Sequence, residues 1–197
     1  MTALQKILHV AARLRLLINP GYYQHYLRRQ GVLIGENSVV IFPGYIDGRL
    51  PYLLEIGSNV IISRMVTILT HDAATAYAGD FIKVGKVRIH DHCFIGTNAT
   101  ILCNVQIGPD SIVGAGSVVT RDIPAGEIWG GNPARFICRT RDYISRQQEL
   151  AKSKPVMEGG PFMDPYAPGD KQRFLKDRMA DTFMYFCARL PDDRRGK

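Results

Sequence analysis

An aliphatic residue returns at every sixth position through the middle of this chain, in three blocks. These are Ile34, Val40, Ile46; then Ile56, Ile62, Ile68; then Ile89, Ile95, Ile101, Ile107, Val113 and Val119, with Ala125 continuing weakly. Two positions before the ladder residues stand Ser38, Gly44, Val60, Val66, Val87, Cys93, Ala99, Val105, Ser111 and Ser117, all small or β-branched. Alternate residues of a short strand point the same way, so both sets enter one narrow core. Three positions after the ladder come Asn37, Asn59, Asn98, Asn104, Asp110, Gly116 and Asp122, types that tolerate left-handed backbone at a tight corner. Neither a 3.6-residue helical period nor ordinary strand-turn-strand spacing produces all three registers together. The pattern predicts an all-β solenoid, a triangular prism with three sides and about 18 residues per coil. A chance run of Ile and Val in a β sandwich is the alternative.

Two breaks interrupt the period. The step from Ile46 to Ile56 is ten, with Asp47, Gly48 and Pro51 inside it, and the step from Ile68 to Ile89 is 21. The second break, THDAATAYAGDFIKVGKV, is polar and rich in Gly and Ala, and is expected to leave the prism as a loop at about 70–88. Residues 1–30 are expected to form an N-terminal helical segment, broken near NPG (19–21), that packs on the first coil and covers exposed strand edges. The solenoid domain spans 31–138, and 139–197 is a partly helical C-terminal extension. Within it, 139–152 is charged and helix-compatible, and 153–170 is rich in Pro, Gly and Asp. Leu175, Met179, Phe183, Phe186 and Leu190 then follow a helical stripe. Docking on the prism or a neighbouring subunit is the plain reading of that tail; contact with a membrane or another protein is the alternative.

Composition narrows the class. With 46% hydrophobic and 22% charged residues, the chain reads as an ordinary globular protein. A formal charge of +7 fits either a solvated surface or attraction to a polyanion such as a phosphorylated cofactor, and does not choose between them. Cys93, Cys103, Cys138 and Cys187 show no zinc-like spacing and point to a reducing compartment, the cytoplasm by default. The apolar stretch Leu4–Ile18 is interrupted by Lys6, His9, Arg13 and Arg15, which makes it an amphipathic helix rather than a signal peptide or a membrane span.

Two stretches, IGSNVIISRMVTILTHD (56–72) and IGTNATILCNVQIGPDSIVGAGSVVTRDIPAGEIWGGNPARFI (95–137), resemble the hexapeptide-repeat acyltransferases, which include maltose, galactoside, serine and streptogramin acetyltransferases. The likeness spans residues 31–138. It implies a left-handed parallel β-helix, an exception to the usual right-handed crossover. It also implies a homotrimer with active sites between subunits and transfer of an acyl group, acetyl in the expected case, from acetyl-CoA with no metal.

By that resemblance His71 is the general base, a role that suits an imidazole near neutrality. Ala73 and Ala74 follow where the family commonly has another polar residue, which leaves open what orients the ring. Asp72, Asp47 and Glu55 are candidates to orient it or to bind the acceptor; solvated charge is the plain reading of Asp47 and Glu55. The resemblance assigns coenzyme A to Gly96, Thr97, Ala115, Thr120, Arg121, Asn132, Pro133 and Arg135, the two arginines suiting its phosphates. Trp129 either covers the prism end or stacks near the adenine. His90 and His92 resemble a metal pair only superficially, because they diverge around a corner with no third ligand. Ser117 falls on an inward position, which disfavours a serine nucleophile and favours direct transfer.

The expected acceptor is a hydroxyl of a sugar or polysaccharide precursor. N-acetylation of an amino sugar nucleotide and acetylation of an antibiotic are alternatives within the class. Outside it stand a non-catalytic β-helix scaffold and a metal-binding subunit like the solenoidal carbonic anhydrases. Nucleic acid is not an expected partner.

Overall fold

In the computed structural model, residues 20–41, 43–154, 156–157 and 185–186 are described. The strands are two to five residues long, and those of the prism fall into three sheets that the chain visits in strict rotation. Sheet A holds Leu33–Ile34, Leu54–Ile56, Val87–Ile89 and Gln106–Ile107. Sheet B holds Val39–Val40, Ile61–Ile62, Phe94–Ile95, Ile112–Val113 and Glu127–Gly130, and sheet C holds Tyr45–Ile46, Thr67–Ile68, Thr100–Ile101 and Val118–Val119. Successive strands within each sheet are parallel and in register, Ile34 beside Ile56 and Ile56 beside Ile89, so ladder residues stack on ladder residues.

The core follows from that register. Ile62, Ile68, Ile89, Ile95, Ile101, Ile107, Val113 and Val119 are buried, and so are Val60, Val66, Val87, Cys93, Ala99 and Val105 from the second inward set. In the first coil Val40 is buried, while Ile34 and Ile46 are partly buried and pack against the core. Burial pushes the Cys93 thiol up to about 11, so it is an apolar filler. Ser117 is buried too, and its hydroxyl donates to the Gly114 carbonyl at 2.7 Å.

Corners take the left-handed backbone where the register demands it. Asn37, Asn59, Asn98, Asn104, Asp110 and Gly116 all have positive φ. Asp122 does not; its carboxylate instead accepts from the Gln106 amide at 2.8 Å and ties the last corner to the coil before. Met65 and His92 hold the same corner position with φ of 61° and 58°. Packing of the neighbouring coils outweighs the cost of a side chain there.

Helix α1 (Pro20–Arg29) lies against the first coil. Tyr23 and Leu27 are buried on it, while Gln24 donates to the Ser38 carbonyl at 2.6 Å and Arg28 to that of Ile34 at 3.1 Å. Side-chain donors from the helix thus satisfy carbonyls of the first coil. At the other end Arg135–Arg139 folds back antiparallel on Glu127–Gly130. Trp129 packs against the core, its indole N–H donates to Glu127 at 2.7 Å, and Arg139 pairs with the same carboxylate at 2.9 Å. Trp129 therefore closes the prism.

The chain divides into two compact units, Met1–Thr140 and Arg141–Lys197. Helix α2 (Thr140–Ser153) begins where the first ends. In the second unit Val156–Met157 pairs with Tyr185–Phe186 as parallel strands, so Phe186 is in a strand and not on the helical stripe its spacing suggested. The expected helix at 4–18 and the rest of that stripe lie outside the described residues. Among the described residues no helix is long and apolar enough to cross a membrane.

Candidate active site

Both breaks in the repeat fall at the corner leading from sheet C to sheet A. The shorter is filled by a 3-10 turn, Pro51–Leu53. The longer is an arm with its own secondary structure. His71–Asp72 pairs antiparallel with Lys83–Val84, and a 3-10 turn over Ala73–Tyr77 lies between. The Asp72 carboxylate caps that turn through the Ala74 amide at 3.0 Å, and the Thr75 hydroxyl accepts from the Lys83 amide at 2.8 Å. The arm closes where the Gly85 amide donates to the Thr70 carbonyl at 2.9 Å.

Asp47 and His71 lie 24 residues apart in sequence, but they follow Ile46 and Ile68, which stack on neighbouring rungs of sheet C. That stacking brings the Asp47 carboxylate onto His71 Nδ1. Asp47 is fully buried, which overturns its reading as a solvated charge, whereas the imidazole is 24% exposed. Three further donors reach the carboxylate: the Arg49 amide at 3.1 Å on Oδ1, and on Oδ2 the Thr70 amide at 3.2 Å and the Thr70 hydroxyl at 2.8 Å. Burial pushes this carboxyl up, but the donors from Arg49, Thr70 and His71 outweigh it and hold it below its ordinary range. An ionised carboxylate only accepts, so Nδ1 carries the proton. Nε2 is then left bare, and it has no hydrogen-bond partner among the described residues.

The other carboxylate candidates are elsewhere. Asp72 is exposed and spent on its cap. Glu55 lies on the outer face of sheet A with Lys86 at 2.6 Å and Arg88 at 2.7 Å, and these cations hold its carboxyl below the usual range. His92 contacts Asn59 at 3.3 Å and Asp110 at 3.5 Å along a column of corner residues. Among the described residues no three His, Cys, Asp or Glu side chains converge as a metal site. The residue that composition could not flag is Thr70, buried and hydroxyl-down on Asp47.

The residues expected to meet coenzyme A split between two corners. Gly96, Thr97 and Ala115 share the corner from sheet B to sheet C, where the Gly116 amide donates to the Thr97 carbonyl at 2.9 Å. Asn132 and Pro133 join them, because the flanking Gly131 and Ala134 bond the backbone of Val118. Thr120 and Arg121 instead lie at the corner of His71, two coils on, with the Arg121 guanidinium 5.8 Å from the Trp129 ring centre. Arg135 is exposed and donates to the Ala134 carbonyl at 3.0 Å. The width of sheet C separates the two groups within one chain.

Comparison with known proteins agrees with this architecture. Residues 86–121 match the family model of bacterial transferase hexapeptides (six repeats). A protein of Bacillus subtilis (strain 168) named "Putative acetyltransferase YvoF" is 35% identical over 130 residues, 66% of this chain and 72% of that protein. The mitochondrial gamma carbonic anhydrase 2 of Arabidopsis thaliana is 33% identical over 58% of this chain, which spans about half of that protein (48%). In fold, the hexapeptide-repeat containing acetyltransferase VCA0836 of Vibrio cholerae aligns with a TM-score of 0.52 at 22% identity, covering 71% of this chain and 94% of that one. The chain belongs to the hexapeptide-repeat transferases. It is an enzyme, an acyltransferase.

Proposed function

We propose that this protein transfers an acetyl group from acetyl-CoA to a hydroxyl of a sugar or polysaccharide-precursor acceptor, directly and without a covalent acyl-enzyme. The observation that carries this reading is the buried Asp47 carboxylate on Nδ1 of a partly exposed His71, which leaves Nε2 free to accept a proton. His71 Nε2 removes the acceptor hydroxyl proton as its oxygen attacks the thioester carbonyl. The tetrahedral oxyanion collapses, the carbon–sulfur bond breaks, and the imidazolium returns the proton to the departing thiolate. Asp47 holds the tautomer and balances the transient positive charge. The products are the acetyl ester and free coenzyme A.

The coils wind left-handed in this reading, and three chains assemble so that the two groups of coenzyme A residues complete one site between them. Two observations support that assembly. Gly96, Thr97, Ala115, Asn132, Pro133 and Arg135 stand across sheet C from His71, Thr120 and Arg121, so one chain presents the two groups at different corners. The outward rungs of sheet B, Val39, Ile61, Phe94, Ile112 and Ile128, are all apolar, with Val39 and Phe94 each 40% exposed. A self-complementary apolar face suits burial against further copies. The enzyme works in the cytoplasm.

Turnover of acetyl-CoA across a panel of hydroxylated and amino-bearing acceptors tests the substrate class, and inactivity on every sugar defeats it. His71→Ala abolishes turnover while leaving coenzyme A affinity within about twofold; wild-type rates in that variant remove His71 from the mechanism. The carbonic anhydrase relative supplies a second reading, a metal-dependent solenoid. Stoichiometric zinc in the purified protein would favour it.

A further inference from the structure

We infer that the Thr70 hydroxyl is a positioning residue, which keeps the proton on His71 Nδ1 by fixing the orientation of the Asp47 carboxylate. The inference rests on the reading of His71 as the base and goes beyond it. A carboxylate on a single side-chain bond can turn about its terminal torsion, and each orientation offers the imidazole a different oxygen or none. At Asp47 the distribution of donors removes that freedom. Oδ1 is engaged once, by the amide of exposed Arg49 at 3.1 Å. Oδ2, the oxygen facing His71, is also met by the Thr70 amide at 3.2 Å and, at the shorter distance of 2.8 Å, by the Thr70 hydroxyl.

Thr70 is itself held on every side. It is fully buried, and its carbonyl accepts from Gly85 where the arm bearing His71 rejoins the prism. Its hydroxyl has one fixed task, since toward an ionised carboxylate it can only donate. The same residue therefore joins the coil that carries Asp47, the strand that carries His71 and the return of the arm. The neighbouring coil presents Cys103 at this corner position, and the one after it Arg121; the hydroxyl is peculiar to the rung of the base.

Thr70→Val keeps the shape of the side chain and deletes the donor, whereas Thr70→Ser keeps the donor and deletes a methyl. The test reads the His71 tautomer directly, by 15N NMR of full-length protein labelled at histidine, with His71→Ala used to assign the signal. The wild type shows Nδ1 protonated and Nε2 bare. Thr70→Val mixes the two tautomers, and Thr70→Ser restores the wild-type signal. In acetylation of methyl glycosides by acetyl-CoA, Thr70→Val lowers kcat about ten- to a hundredfold and leaves KM for acetyl-CoA unchanged. A folded Thr70→Val with the wild-type tautomer overturns the inference, as does failure of Ser to restore it. If Val does not fold, Thr70→Ala removes the same donor from a smaller side chain and is read in the same way. Should Thr70→Val be unchanged while His71→Ala is inactive, Thr70 alone falls. An active His71→Ala means that the base reading falls first.

Discussion

Replacing Asp47 by Asn removes one charge and exchanges one acceptor for a donor, and the site's geometry decides which loss matters. The amide can lie in two ways. With its oxygen in the place of Oδ2, it still accepts from the Thr70 amide, the Thr70 hydroxyl and His71 Nδ1, and its NH2 opposes only the Arg49 amide at 3.1 Å. Arg49 is exposed, so water repairs that conflict. Turned over, the NH2 opposes the buried Thr70 amide, whose hydrogen cannot be redirected, and an unsatisfied buried donor costs about 1–3 kcal/mol. The first arrangement wins, and it preserves the proton on Nδ1. Only the electrostatic support of the imidazolium is then lost, on the order of 1.5–3 kcal/mol for a hydrogen bond to a charged group, or about 10- to 150-fold in kcat. A reversed tautomer costs far more, about 10⁴-fold in the serine-protease triad. Thiol release from acetyl-CoA, measured with the best acceptor of a sugar panel, separates the cases. A loss under about threefold shows that Asp47 does not serve the base, and a loss near 10⁴-fold shows that the donor accounting is mistaken.

Ile101 is fully buried between Ile68 and Val119, so Ile101→Ala forfeits three methyl or methylene groups and leaves a cavity, about 3–4 kcal/mol in chemical denaturation. Ile34, partly buried in the first coil, loses at most about half as much on the same change, and equal losses contradict the ladder. Asp47 titrates below its ordinary 3.8 in the folded chain, so it binds fewer protons folded than unfolded. Its contribution to stability is complete above that value and is lost as pH falls through the lower folded value; denaturation midpoints should drop on acidification more in the wild type than in Asp47→Asn. A Cβ on Gly85 would lie 2.5 Å from Asn104 Cβ and 2.7 Å from its amide nitrogen. Because backbone cannot yield as a side-chain tip can, Gly85→Ala lowers stability by about 1–3 kcal/mol. It also weakens the Thr70–Gly85 closure of the arm, and an unchanged melting temperature refutes that account.

The prism was legible because its period is enforced at every coil. Ile95 or Val113 can face the core only at a spacing of six, and Asn98 or Asp110 answers a backbone demand that few residue types meet. Met65 and His92 occupy the same corners unannounced, since there the coils hold the backbone whatever side chain it bears. The arm was not legible as a hairpin, because strands of two residues carry no alternation to read. Resemblance pointed to His71, but nothing local tied it to Asp47. A signal was available in the ladder itself: Ile46 and Ile68 stack, so whatever follows them meets at one corner. Reading solvation from residue type alone obscured it.

Both interruptions of the period occur at the same corner, and after each the rungs resume in phase, Ile34 beside Ile56 beside Ile89. Length added there is absorbed sideways and never shifts the stack. The frame and the business end can therefore diverge independently. Exchanging the 72–84 arm for one of another length or polarity should change which molecules are modified while leaving the thermal transition of the prism in place, so a single scaffold can serve a series of enzymes.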